Sequence, residues 1–104
     1  MSRISEKFQY LKSRGEKALI TFISSCDPSI AASEKILNAL PLCGADIIEI
    51  GLPFSDPMAD GPTIQKSSQR AIKAGFTIDK TFQMIDRFRS GNNSTPIILM
   101  GYFN

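Results

Sequence analysis

The sequence predicts an α/β fold built on a parallel sheet with helices on both faces. Two observations carry this. Three short runs, residues 18–24, 46–51 and 96–100, are largely apolar along their length rather than alternating, as strands covered on both sides are. The segments between them have helical periodicity, and strands that alternate with helices indicate parallel pairing.

Ile4, Phe8 and Leu11 recur at i, i+4 and i+7, with Ser2 or Ser5 as a cap and Gly15 as the stop. This predicts a short amphipathic helix covering one end of a larger core. ALITFIS, residues 18–24, is the first strand. In the turn SCDPS, Asp27 or Ser29 can cap the next helix, and Pro28 suits its first turn. That helix spans 30–40, turns Ile36, Leu37 and Leu40 inward, and stops before Pro41. Gly44 reverses the chain into the second strand, 46–51. An irregular loop, 52–61, leads to a helix over 62–74 that ends at Gly75. Thr77 caps a further helix with Ile78, Phe82, Ile85 and Phe88 as its stripe, closed by Gly91. PIILM, 96–100, is the third strand, and Tyr102 lies past its carboxyl end.

Composition narrows the chemistry. The chain has 104 residues, so it is one unit at most, and its net charge of +2 comes from basic residues interspersed with acidic ones. That pattern gives a solvated surface rather than a nucleic-acid track. The apolar runs are far too short for a membrane span, and MSRISEKFQY has no signal-peptide core, so a cytoplasmic location is expected. Two cysteines, Cys26 and Cys43, lie apart with no metal-ligand partners, and there is no histidine. Ser-His and Cys-His chemistry is therefore excluded, and acid–base work falls to carboxylates, Tyr or Lys.

The densest information is in residues 46–65, DIIEIGLPFSDPMADGPTIQ. Glu49 is a lone carboxylate among Ile47, Ile48 and Ile50. Burying its charge unpaired is costly, and apolar surroundings favour the protonated form that an acid catalyst needs. Asp60 lies eleven residues on, across a loop able to return to the strand mouth. Carboxyl ends of parallel strands are where such folds place their chemistry. A structural reading stands beside each. Glu49 could be tied to backbone amides or a lysine. Asp60 before Gly-Pro, and Asp56 before Pro57, could serve turns and caps. Phe22, Met100 and Tyr102 could simply be core.

The string Glu49-x-Gly51-x-Pro53-Phe54-Ser55-Asp56-Pro57-x-Ala59-Asp60-Gly61-Pro62-x-Ile64-Gln65 resembles the signature of the tryptophan synthase alpha chain family, and the likeness runs from about Phe8 to Asn104. Pattern alone leaves barrel and doubly wound sheet open. The resemblance implies the N-terminal portion of a (β/α)8 TIM barrel, about three strands over residues 1–104. It implies cleavage of indole-3-glycerol phosphate to indole and glyceraldehyde 3-phosphate, a lyase step of tryptophan biosynthesis. By that likeness Glu49 is the acid/base, Asp60 stabilises the indole nitrogen, and Phe22, Met100 and Tyr102 line the indole pocket. Pro53, Phe54 and Asp56, on a segment too polar and proline-broken to be core and so expected to be exposed, would face a beta chain in an alpha2-beta2 assembly. Pyridoxal phosphate would belong to that beta chain, and this chain would need no cofactor or metal.

The family's phosphate-binding loops come from later strands, so the 104 residues alone are expected to be inactive, with an exposed edge at the third strand. A remnant keeping only the partner-binding loop is the alternative. Cys26, where the family usually has Gly, and Pro41, which breaks a helix that normally continues, are departures; two outcomes are open at Cys26, strain in the turn or only shifted dihedrals.

Overall fold

The computed structural model describes residues 2–55 and 59–102. Its elements are α1 (Arg3–Ser13), β1 (Ile20–Ser24), α2 (Ile30–Ala39), a 3-10 turn (Pro41–Cys43), β2 (Ile47–Gly51), α3 (Pro62–Lys73), α4 (Ile78–Gly91) and β3 (Ile97–Met100). The strands form one parallel sheet in the order β1-β2-β3. Each element falls where the sequence pattern places it, with ends moved by one or two residues.

Local chemistry accounts for most boundaries. Ser2, Ser29 and Thr77 cap α1, α2 and α4, each side-chain oxygen accepting from the backbone N–H three residues on. Pro28 precedes the Ser29 cap instead of lying in the first turn of α2. Asp27 does not cap. Its carboxylate accepts two hydrogen bonds from Arg70 on α3, at 2.8 and 3.1 Å. Pro41 opens the 3-10 turn, and Gly44 closes it at φ 110°. Cys26 has φ 70°, a left-handed conformation that costs a residue with a β-carbon about 1–2 kcal/mol.

The core lies on one face of the sheet. Leu37 of α2, Met84 and Phe88 of α4, and Ile48 and Ile50 of β2 form it with Ala45. The stripe of α4 is turned from the expected one. Thr81, Met84 and Phe88 are buried, while Ile78 and Phe82 are half exposed. Thr81 belongs inside because its hydroxyl bonds Ser25 on the β1 side and the Thr77 carbonyl in its own helix. Ile36 likewise turns outward, and Ser33 takes its place in the core. In α1 only Leu11 is buried. Arg3 ties that helix to Asn93, in the turn that enters β3, so α1 lies toward the amino ends of the strands.

Burial corrects the expectation of three covered strands. Only β2 is buried along its length. Among the described strands β1 and β3 are edges: β1 alternates between a more covered and an open face, whereas β3 is exposed from Ile98 to Met100. The open face carries Ile20, Phe22, Ile98 and Met100. Apolar residues on both sides of a strand cannot tell an edge from a centre. The register brings Phe22, Glu49 and Ile98 side by side on this face, with Ser24, Gly51 and Met100 as the next row. Glu49 is half-buried between two apolar neighbours.

Candidate active site at the strand carboxyl ends

A cleft of about 420 Å³ opens where the three strands end. This is within the usual range for small-molecule sites. Phe22, Glu49, Asp60, Met100 and Tyr102 all line it, with Ala59 and Ile64. The five residues singled out from sequence for catalysis and substrate binding therefore converge on one space. They come from β1, β2, the loop after β2, β3, and the segment after β3.

Among the described residues no hydrogen bond or ion pair reaches the side chain of Glu49 or Asp60. No backbone amide or lysine among the described residues is bonded to Glu49. The capping reading of Asp60 is removed: Gly61 is the N-cap of α3, and no side chain caps that helix. Two carboxyl groups thus line one largely apolar cleft, with no hydrogen-bond partner among the described residues.

The walls depend on close approaches. A β-carbon on Gly51 would lie 2.5 Å from Cζ of Phe22, so only glycine lets that ring lie over β2. Tyr102 reaches back across the mouth, its hydroxyl accepting from Ala59 N–H at 3.0 Å. Phe54 stacks on Tyr102 with ring centroids 5.4 Å apart. Phe54 is therefore half-buried, and Pro53 is buried, where the sequence reading kept this segment out of the core. Asp56 lies outside the described residues. Behind the cleft, Ser24 and Ser67 share a buried 2.7 Å hydrogen bond that fastens α3 to β1. The Asp27–Arg70 pair adds a second link between the same parts and holds the guanidinium in its charged form, with a pKa above its ordinary value.

Sequence reasoning missed several of these contacts. Gln65, whose side-chain amide donates to the Asp60 carbonyl at 2.8 Å, stood in the motif without a role. The links between β1 and α3 join residues 43 apart and leave no trace in local pattern. Among the described residues no group of His, Cys, Asp or Glu could hold a metal ion, and no helix is long and apolar enough to cross a membrane.

A family model described as tryptophan synthase alpha chain matches residues 8–104. The tryptophan synthase alpha chain of Citrifermentans bemidjiense is 55% identical over all 104 residues, which span 39% of that relative. The crystal structure of tryptophan synthase subunit alpha from Legionella pneumophila superposes at TM-score 0.95 with 39% identity, over 98% of this chain and 39% of its own. The tryptophan synthase complex of Pyrococcus furiosus matches at TM-score 0.78 and 44% identity, over 84% of this chain and 35% of that one. The three-stranded unit is a portion of the (β/α)8 barrel of these proteins. The chain belongs to the tryptophan synthase alpha chain family.

Proposed function

We propose that this chain contributes the catalytic carboxylates of a lyase of tryptophan biosynthesis, which splits indole-3-glycerol phosphate into indole and glyceraldehyde 3-phosphate. The observation that carries the reading is the convergence of Glu49 and Asp60, both unpaired among the described residues, on one cleft walled by Phe22, Met100 and Tyr102. Family membership supplies the substrate class.

The chemistry suits the residues. Cleavage is a retro-aldol step, in which the bond from indole C3 to the glycerol carbon breaks. C3 gains a proton, and the glycerol hydroxyl loses one as it becomes the aldehyde. Glu49, flanked by Phe22 and Ile98 across the sheet, is the residue to which we assign delivery of the proton to C3. Positive charge then develops on the ring nitrogen, and the Asp60 carboxylate offsets it. The aromatic and thioether walls hold the ring flat. Phosphate recognition is assigned to parts of the barrel outside these 104 residues, and the reading asks for no metal or organic cofactor in this chain.

The partner proposed is a beta chain that carries pyridoxal phosphate and takes up the indole, in an alpha2-beta2 assembly. The solved complex from Pyrococcus furiosus supports an assembled state for a relative. The test is Glu49→Gln in the full chain. Indole release is expected to fall by about a hundredfold or more, with thermal stability retained. A variant that keeps more than about a tenth of the turnover removes Glu49 from the acid–base role.

A further inference from the structure

We propose that Gln65 is a positioning residue for Asp60, acting with the Tyr102 hydroxyl to hold the backbone on either side of the Ala59–Asp60 link at the cleft mouth. The inference rests on the catalytic role proposed for Asp60. The Asp60 carboxylate has no hydrogen-bond partner among the described residues, and Gly61, the cap that follows, has no side chain to restrain it. Among the described residues, the side-chain hydrogen bonds that hold this segment are therefore to its backbone, and there are two. Gln65 Nε2 donates to the Asp60 carbonyl at 2.8 Å. Tyr102 Oη accepts from Ala59 N–H at 3.0 Å.

Both grips are themselves anchored. Gln65 is in the first turn of α3, where its own N–H donates to Gly61 O at 3.0 Å, and it is half-buried. Its side chain works in the opposite sense to a capping box. It donates backward to the carbonyl of the residue before the cap, where the capping-box side chain accepts from the cap N–H. Tyr102 is steadied by the stacked ring of Phe54. The pair therefore ties the loop to α3 on one side and to the end of β3 on the other. A shift of about 1 Å in a reacting group can cost roughly a hundredfold in rate, so a grip of this kind acts on turnover more than on stability.

The experiment uses the full chain with its beta chain and compares Gln65→Met, Asp60→Asn and the double variant. Gln65→Met keeps length and removes the donor. If it folds poorly, Gln65→Asn, too short to reach, replaces it. Turnover at saturating substrate is expected to fall about tenfold for Gln65→Met, with KM and melting temperature little changed. The double variant is expected to be no slower than Asp60→Asn alone. Amide hydrogen exchange at Ala59, whose N–H the Tyr102 hydroxyl holds, is expected to speed up several-fold. Additive losses in the double variant, or unchanged exchange at that amide, overturn the proposal. Faster exchange alongside an Asp60→Asn variant that retains full turnover keeps Gln65 as the grip and sinks the role given to Asp60 instead.

Discussion

The ring of Phe22 lies over the α-carbon of Gly51, close enough that a β-carbon there would come within 2.5 Å of Cζ and 2.9 Å of Cε2. These residues are on neighbouring strands, one row apart, and both line the cleft. Gly51→Ala forces the ring to move. Phe22 is 37% exposed, so the ring can swing outward and does not have to compress the core. The cost in stability is then about 1 kcal/mol or less, below the usual cost of overpacking. The cleft, however, loses a wall. Indole release by Gly51→Ala is expected to drop about tenfold in kcat/KM, chiefly through KM, with a small change in melting temperature. A large melting shift with unchanged KM would place the Phe22–Gly51 contact in the core and not in the site.

Much of this site was legible before any coordinates. Glu49 stood out because a charge among isoleucines has a physical cost, and Asp60 because the loop length lets it return. The caps Ser29 and Thr77 were equally readable, since their partners are three residues away. Whatever depends on partners distant in sequence was hidden. Nothing local says that β1 and β3 are edges, that Thr81 and not Phe82 faces the core, or that Arg70 finds Asp27. The loop misled for the same reason. Pro53 and Phe54 read as exposed until Tyr102, 48 positions beyond Phe54, supplies the ring against which Phe54 packs.

Thr21 offers a test of polar burial. It is on β1, opposite Ile48, and its hydroxyl is buried with no hydrogen-bond partner among the described residues. A buried hydroxyl without a partner keeps its desolvation cost and gains nothing in return. Thr21→Val retains the shape and the β-branch. It is expected to stabilise the full chain by about 1 kcal/mol, seen as a higher urea midpoint at unchanged slope. A lower midpoint would mean that the hydroxyl has a partner in the full protein.

Acid sensitivity should appear between α2 and α4. Arg87 Nη2 donates to Glu34 at 2.6 Å, and this hydrogen bond holds the Glu34 carboxyl below its ordinary pKa of 4.5. A carboxyl lowered in the folded state stabilises above its unfolded pKa, and that stability is lost as pH falls through the folded value. Both side chains are partly exposed, so the effect is small and weakened by salt. Arg87→Ala should lower the melting temperature at pH 7, and the difference from the parent should shrink as the pH drops below 4.5. A difference that stays constant from neutral to acid pH would assign the loss to packing by the arginine stem.

Phe54 decides what the loop after β2 is for. Its ring stacks on Tyr102 at an interplanar angle of 29°, and it is half-buried, so one face is committed to the chain itself while the rest stays open. An anchor of that kind suits a partner surface, because its conformation is already fixed before binding. Phe54→Ala is expected to weaken beta-chain affinity about tenfold, and to lower stability only by the roughly 0.5–1.5 kcal/mol that an aromatic pair supplies. Tyr102→Phe keeps the stack and removes only the hydroxyl that accepts from Ala59, so it should spare affinity while slowing turnover. Titration calorimetry with the beta chain, run beside thermal melts and indole assays, separates the two effects. Unchanged affinity in Phe54→Ala together with a large melting loss would make the ring a support for Tyr102 alone and put the partner surface elsewhere.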